Sequence, residues 1–191
     1  MQPINDVMEL FRHQRAVRAW SDKPVSDETV RQVIEAAVHA PSGSNSQPWR
    51  FLVVRDQAVK DQVGTLYEEA MAEQYQGAEP DRARDRQPLA QAPVLIVPCV
   101  QVGAGGRAGF QTGASIYPAC QNLMLAARAL GLGTVLSTLH RMRKRQVHEV
   151  LGIPDEYESA AIIPLGWPNR AYGPNHRRPV EEFIAYDRWT E

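Results

Sequence analysis

The stretch 113–130 limits the fold of this chain more than any other. Ile116, Cys120, Leu123, Ala127 and Leu130 recur at helical spacing, and Met124, Leu125 and Ala126 fill much of the remaining circumference. A helix that is apolar almost all round must be covered on several sides, which places it at the centre of the molecule. Gly131 and Gly133 end it, as glycine commonly does past a helix C-terminus. Four short apolar runs, 51–54, 93–100, 134–136 and 160–165, read as strands bounded by turn residues. Pro98 interrupts the second run; lacking an N–H donor, it points to an edge strand or a bulge. Strands and helices alternate without a regular βαβ spacing, so the expected class is a mixed α/β layer fold around a central sheet.

The other helices are amphipathic. Asn5 or Asp6 caps the first, whose Val7, Leu10 and Phe11 share a face, and its period runs on toward Trp20. On such a helix Arg15 and Arg18, three apart, fall roughly on one side. Ser26 caps a second helix with Val30, Val33, Ile34 and Ala37 inward, and Pro41 ends it. A charged helix covers about 56–75, with Val59, Val63, Leu66, Tyr67 and Ala70 as its apolar positions. Residues 76–91 are polar and weakly patterned, which suggests a mobile excursion or short exposed helix, a candidate lid. A basic helix spans 141–151, and the tail 169–191 forms a C-terminal arm with an apolar piece at 180–184.

Composition removes several functions. The chain has 191 residues, 43% hydrophobic and 23% charged, with a formal net charge of -1. That suits one domain over 1–191 and favours neither nucleic acid nor an anionic membrane. The basic run 141–145 lacks interleaved aromatics and reads as a solvated helix face. Cys99 and Cys120 form no C-x-x-C pair, and the five histidines show no ligand spacing, so no metal site is expected. No apolar run reaches the roughly 18 residues of a membrane helix, and the N-terminus lacks the pattern of a signal peptide; a cytoplasmic location is expected. The glycine loop at 103–109 imitates a dinucleotide fingerprint, but no Asp or Glu occurs between Asp85 and Glu149 to hold a ribose. Ser137 and His140 stand close together without a G-x-S-x-G elbow.

What remains is a turn-rich link and two arginine pairs. The link, 40–51, packs two prolines, a glycine and three serines between a helix and a strand; such a link exposes backbone N–H groups where a flat or anionic ligand can approach. Arg15/Arg18 lie near one terminus and Arg177/Arg178 near the other. Paired guanidiniums can grip an anion with bidentate geometry.

Taken in order, Gln14-Arg15-Ala16-Val17-Arg18-Ala19-Trp20, the link 40–51, Gln121-Asn122-Leu123 leading to Leu130-Gly131-Leu132-Gly133-Thr134, and Leu165-Gly166-Trp167-Pro168 followed by Arg177-Arg178-Pro179 form four spaced blocks. With these blocks the whole chain resembles the FMN-dependent nitroreductase family. Nitroreductases, flavin reductases, halotyrosine deiodinases and azoline-oxidising dehydrogenases share them.

The resemblance implies an α/β (α+β) fold with a central mixed, mainly antiparallel sheet flanked by helices. It also implies a homodimer with FMN at two interface sites, NAD(P)H as donor, and a small organic acceptor such as a nitroaromatic or a quinone. Gln14, Arg15, Ala16 and Arg18 match the basic motif that supports the flavin, with Arg18 toward the pyrimidine edge, where a cation favours negative charge on the reduced ring. Pro41, Ser42, Gly43 and Asn45 would approach from the partner subunit. Leu136, Ser137 and Thr138 match the segment that offers N–H groups toward flavin N5. Arg177 matches a phosphate-binding arginine and Arg178 adjoins it. A single anionic cofactor then explains both arginine pairs. Gln14 and Ala16 depart from the family's Arg and Ser, which removes one cationic contact and one hydroxyl. No general acid is assigned. The alternatives within the resemblance are a flavin-consuming or substrate-oxidising enzyme, and a flavin-binding protein without turnover.

Overall fold

The computed structural model describes residues 1–75, 87–102 and 109–189. In chain order the regular elements are α1 (Val7–His13), α2 (Asp27–Val38), β1 (Trp49–Val54), α3 (Gln57–Tyr75), β2 (Val94–Gln101), α4 (Phe110–Ala129), β3 (Gly133–Thr134), α5 (Lys144–Leu151), β4 (Tyr157–Ser159) and β5 (Ile163–Gly166). The sheet runs β1-β2-β5-β3, with β4 also paired to β2. Every named pair is antiparallel; a parallel bridge, Ala16 to Thr134, makes the sheet mixed.

β2 is the axis of the sheet. Alternate residues feed opposite cores: Val94, Ile96 and Val100 face the cluster that contains Ile116, Leu123 and Ala127 of α4 and Val33 and Ala37 of α2. Leu95, Val97 and Cys99 face the cluster with Val63 of α3, Trp20 and Ile162. A strand covered on both sides must be apolar throughout. The apolar α4 is central as its composition demands, although it begins three residues earlier than the pattern suggests, at Phe110 rather than 113. Asp6 and Ser26 act as N-caps, accepting from Glu9 N–H and Thr29 N–H.

Several expectations are corrected. Pro98 is not on an edge. It lies in central β2, where the partner changes from β5 (at 94–96) to β4 (at 99–101). Its carbonyl accepts from Ala160 N–H at 2.8 Å, and the missing donor falls at this break in the ladder. The strand expected at 160–165 is β5, at Ile163–Gly166, and a short strand that was not expected, β4, precedes it at Tyr157–Ser159. The strand expected at 134–136 is only Gly133–Thr134. The basic helix opens as a 3-10 turn over Leu139–Arg143 and becomes α-helical at Lys144. The lid proposed at 76–91 and the glycine loop at 103–109 lie largely outside the described residues.

The correction with most consequence is at the end of α1. The helix stops at His13, Gln14 is extended (φ -70, ψ 118), and the following segment joins the sheet margin through Val17 N–H to Thr134 O at 2.9 Å. Arg15 and Arg18 thus ride an extended segment, not a helix face. The segment lies so close to the sheet that two positions need glycine. A Cβ on Gly133 would sit 2.6 Å from Val17, and one on Gly166 would sit 2.8 Å from Trp20.

Candidate functional site

The extended segment forms one wall of a cleft of about 560 Å³. α1 contributes Met8, Phe11 and Arg12; the segment contributes Gln14, Arg15, Ala16 and Arg18; α4 contributes Gln121 and Met124; Thr134 to Leu136 close the floor; Asn175 and Arg177 come from the tail. Among the described residues four arginines line this cleft and no Asp or Glu does. Arg18 is half-buried and has no acidic partner among the described residues. An anion is the natural complement of such a lining.

Asn175 holds the cleft together. Its Nδ2 donates to Phe11 O at 2.9 Å and Gln14 O at 3.0 Å, and its backbone N–H donates to Arg12 O at 2.7 Å. The carbonyls left open by the end of α1 are thus satisfied from the tail, which draws Arg177 to the same place. Next to it Arg15 reaches Gly173 O at 3.5 Å and lies 5.6 Å from the centre of the Tyr172 ring.

Of the residues expected from the sequence, Gln14, Arg15, Ala16, Arg18, Leu136 and Arg177 meet in this cleft. Ser137 and Thr138 follow directly but do not line it. Ser137 N–H donates to Ile162 O at 3.1 Å, so that amide is spent on the sheet, and the Ser137 hydroxyl lies 2.9 Å from Tyr67 OH. Arg178 pairs with Glu182 at 2.9 Å and covers the Phe183 ring, outside the cleft. Pro41, Ser42, Gly43 and Asn45 also lie outside it; Gly43 N–H points to Ser115 Oγ on α4 at 3.4 Å. This link is conformationally unusual. Ser44, Asn45 and Gln47 hold φ of 50, 54 and 48, a left-handed region that is costly for residues with a side chain. Gly43 itself does not use positive φ, and a Cβ there would meet nothing within 4 Å. No packing within this chain requires a glycine at 43.

Sequence reasoning missed Arg12 and Asn175, and it placed Gln121 in a block without giving it a role at the site. It also missed a cluster outside the cleft, buried at His140 and Ser159 and half-buried at His148, where Ser159 Oγ sits 2.9 Å from His140 Nε2 and 2.9 Å from His148 Nε2. Burial pushes His140 down to about 4 and lowers His148 as well. The thiols are inert: burial raises Cys99 to about 11 and Cys120 to about 12. Among the described residues no group of His, Cys, Asp and Glu could hold a metal ion, and no helix is long and apolar enough to cross a membrane.

A mainly antiparallel sheet between two helical layers, with a basic cleft where the N-terminal segment meets β3, defines the class. The chain belongs to the nitroreductase family, whose model matches residues 11–167. It is 29% identical to an NADH dehydrogenase of Thermus thermophilus, over 96% of this chain and 97% of that protein. It is 26% identical to a nitrobenzene nitroreductase of Ectopseudomonas oleovorans, over 93% and 95% of the two chains. Among solved structures, an oxidised iodotyrosine deiodinase bound to FMN and 3-iodo-L-tyrosine superimposes with a TM-score of 0.81 at 26% identity, covering 95% of this chain and 99% of the other.

Proposed function

We propose that this protein is an FMN-dependent oxidoreductase that uses NAD(P)H to reduce a small organic acceptor. The observation that carries the reading is the cleft itself, where among the described residues four arginines from the two ends of the chain meet with no carboxylate in the lining. Its lining, basic but with apolar Met124 and Leu136, fits a ligand with an anionic end and a flat ring. The FMN-bound family relative supports that choice of ligand. When bound, FMN would supply the redox chemistry, a ping-pong hydride transfer from NAD(P)H to the acceptor.

The chain's own residues bind and orient. Arg15 and Arg177 hold the anionic end. Arg18, half-buried and without an acidic partner among the described residues, places a fixed positive charge where the ring gains electron density. Met124 and Leu136 supply apolar contact. Pro41, Ser42, Gly43 and Asn45 serve the cleft of a second copy, making the working unit a homodimer. The exposed apolar residues Val7, Met8 and Phe11 on α1 and Val180, Phe183 and Ile184 on the tail suit such an assembly. On this reading 1–191 is one domain with 169–191 as its arm. The two buried free thiols suit a reducing cytoplasm.

The test is an absorbance spectrum of the purified protein, then anaerobic addition of NADH and, separately, NADPH. A flavin band near ~450 nm that bleaches with either nucleotide and returns with a nitroarene or quinone is the expected result. Protein that stays colourless after FMN is added overturns the reading. Loss of FMN during turnover would point instead to a flavin-consuming enzyme.

A further inference from the structure

The four arginines of the cleft are not equivalent. Asn175 ties the end of α1 to the tail through Arg12 O, Arg177 follows two residues later, and Arg15 reaches Gly173 O beside it. Arg12, Arg15 and Arg177 therefore collect at one end. Arg18 lies three extended residues from Arg15, roughly 10 Å along the chain. The cleft has a cationic end and, separated from it, a single charge.

Arg12 is the member of this group that no motif announces. Its guanidinium pairs with Glu9 one turn back, and the two side chains are 59% and 46% exposed. An ion pair this exposed is readily exchanged for a better partner. A helix C-terminus ordinarily repels an anion through its open carbonyls; here Asn175 covers Phe11 O, Arg12 O and Gln14 O. Gln14, next in the lining, can donate hydrogen bonds but carries no charge.

We propose that Arg12 leaves Glu9 to make the charge-assisted contact to the FMN phosphate that Gln14 cannot make. The proposal rests on the flavin reading above and assigns the phosphate end to Arg12, Arg15 and Arg177 together. Arg12 is then a binding residue, with no part in electron transfer.

The test compares FMN with riboflavin, which lacks the phosphate, by flavin-fluorescence titration of the apoprotein. Arg12→Ala should weaken FMN about tenfold and leave riboflavin unchanged, since only a charge-assisted bond to the phosphate is lost. Adding Gln14→Arg to Arg12→Ala should restore most of the FMN affinity, a rescue that a merely structural role for Arg12 would not produce. Wild-type protein that prefers FMN while Arg12→Ala prefers it equally, or loses both flavins equally, overturns the assignment alone. Wild-type protein that binds neither flavin overturns the flavin reading and the assignment with it.

Discussion

The segment 14–18 and the link 41–47 were both expected at the cofactor, and the chain treats them oppositely. The first is anchored: Val17 is bridged to Thr134, Asn175 caps the turn before it, and its arginines line one cleft. The second is kept away from that cleft, holds three non-glycine residues at positive φ, and has open space around Gly43. Strain without a local partner is what a wall built for another molecule would show. The contrast has an all-or-none test. Gly43→Leu should fold normally, because a Cβ there meets nothing, yet it should abolish flavin binding, as should Arg18→Ala combined with Arg177→Ala. Mixed dimers of the Gly43→Leu chain and the double-arginine chain should recover one flavin each, since one cleft then has intact arginines and an intact facing link. Mixed dimers without flavin, measured by absorbance after tandem affinity purification, would show that each link serves its own chain.

At His140, buried beside Ser159 and outside the cleft lining, the effect is set by pH. Its folded pKa of about 4 lies below the ordinary 6.5, so the unfolded chain binds a proton that the folded chain refuses. Its contribution is complete above about pH 6.5 and is lost as pH falls toward 4, on the order of 3 kcal/mol in all. Urea denaturation at several pH values should show this slope, and His140→Gln should flatten it. A smaller loss is expected from Gly166→Ala. The added methyl would press on Trp20 and Pro93, and Trp20 is 4% exposed, with its indole N–H donating to Gly133 O at 3.3 Å. Overpacking of this kind costs about 2 kcal/mol. It should loosen the arginine segment and weaken flavin binding, while protease cleavage at the link 41–47 stays at the wild-type rate.

How much of this was legible follows from how local each signal is. The central helix, the caps at Asp6 and Ser26, and the apolar character of β2 are written in neighbouring residues, and they were read correctly. The end of α1 was not, because the helical period continues past His13 while a sheet edge and a side chain more than 160 positions away take over the backbone. The rule for proline in strands failed at Pro98 for a related reason: it assumes one partner per strand edge, and this edge has two. In the cleft, Arg15, Arg18 and Arg177 were found through the blocks they share with a family. Arg12 and Asn175 belong to no block, and the His140–Ser159–His148 contact joins residues 19 and 11 apart in the chain, a spacing that no ligand motif uses.

The finest test separates strain from packing within the link. Ser44 sits at φ 50 and ψ 28, a conformation glycine adopts freely and serine does not. Ser44→Gly removes that cost but enlarges the entropy of the unfolded chain, so the two nearly cancel and a net gain of about 0.5 kcal/mol is expected. If the link mattered only to its own chain, flavin binding would follow stability and improve or stay level. If the strained turn is held ready to meet a second copy, the looser loop should weaken FMN a few-fold while the melting temperature rises slightly. Opposite signs in the two measurements would tie the strain at Ser44 to the facing cleft, and equal signs would return the link to the role of a connector.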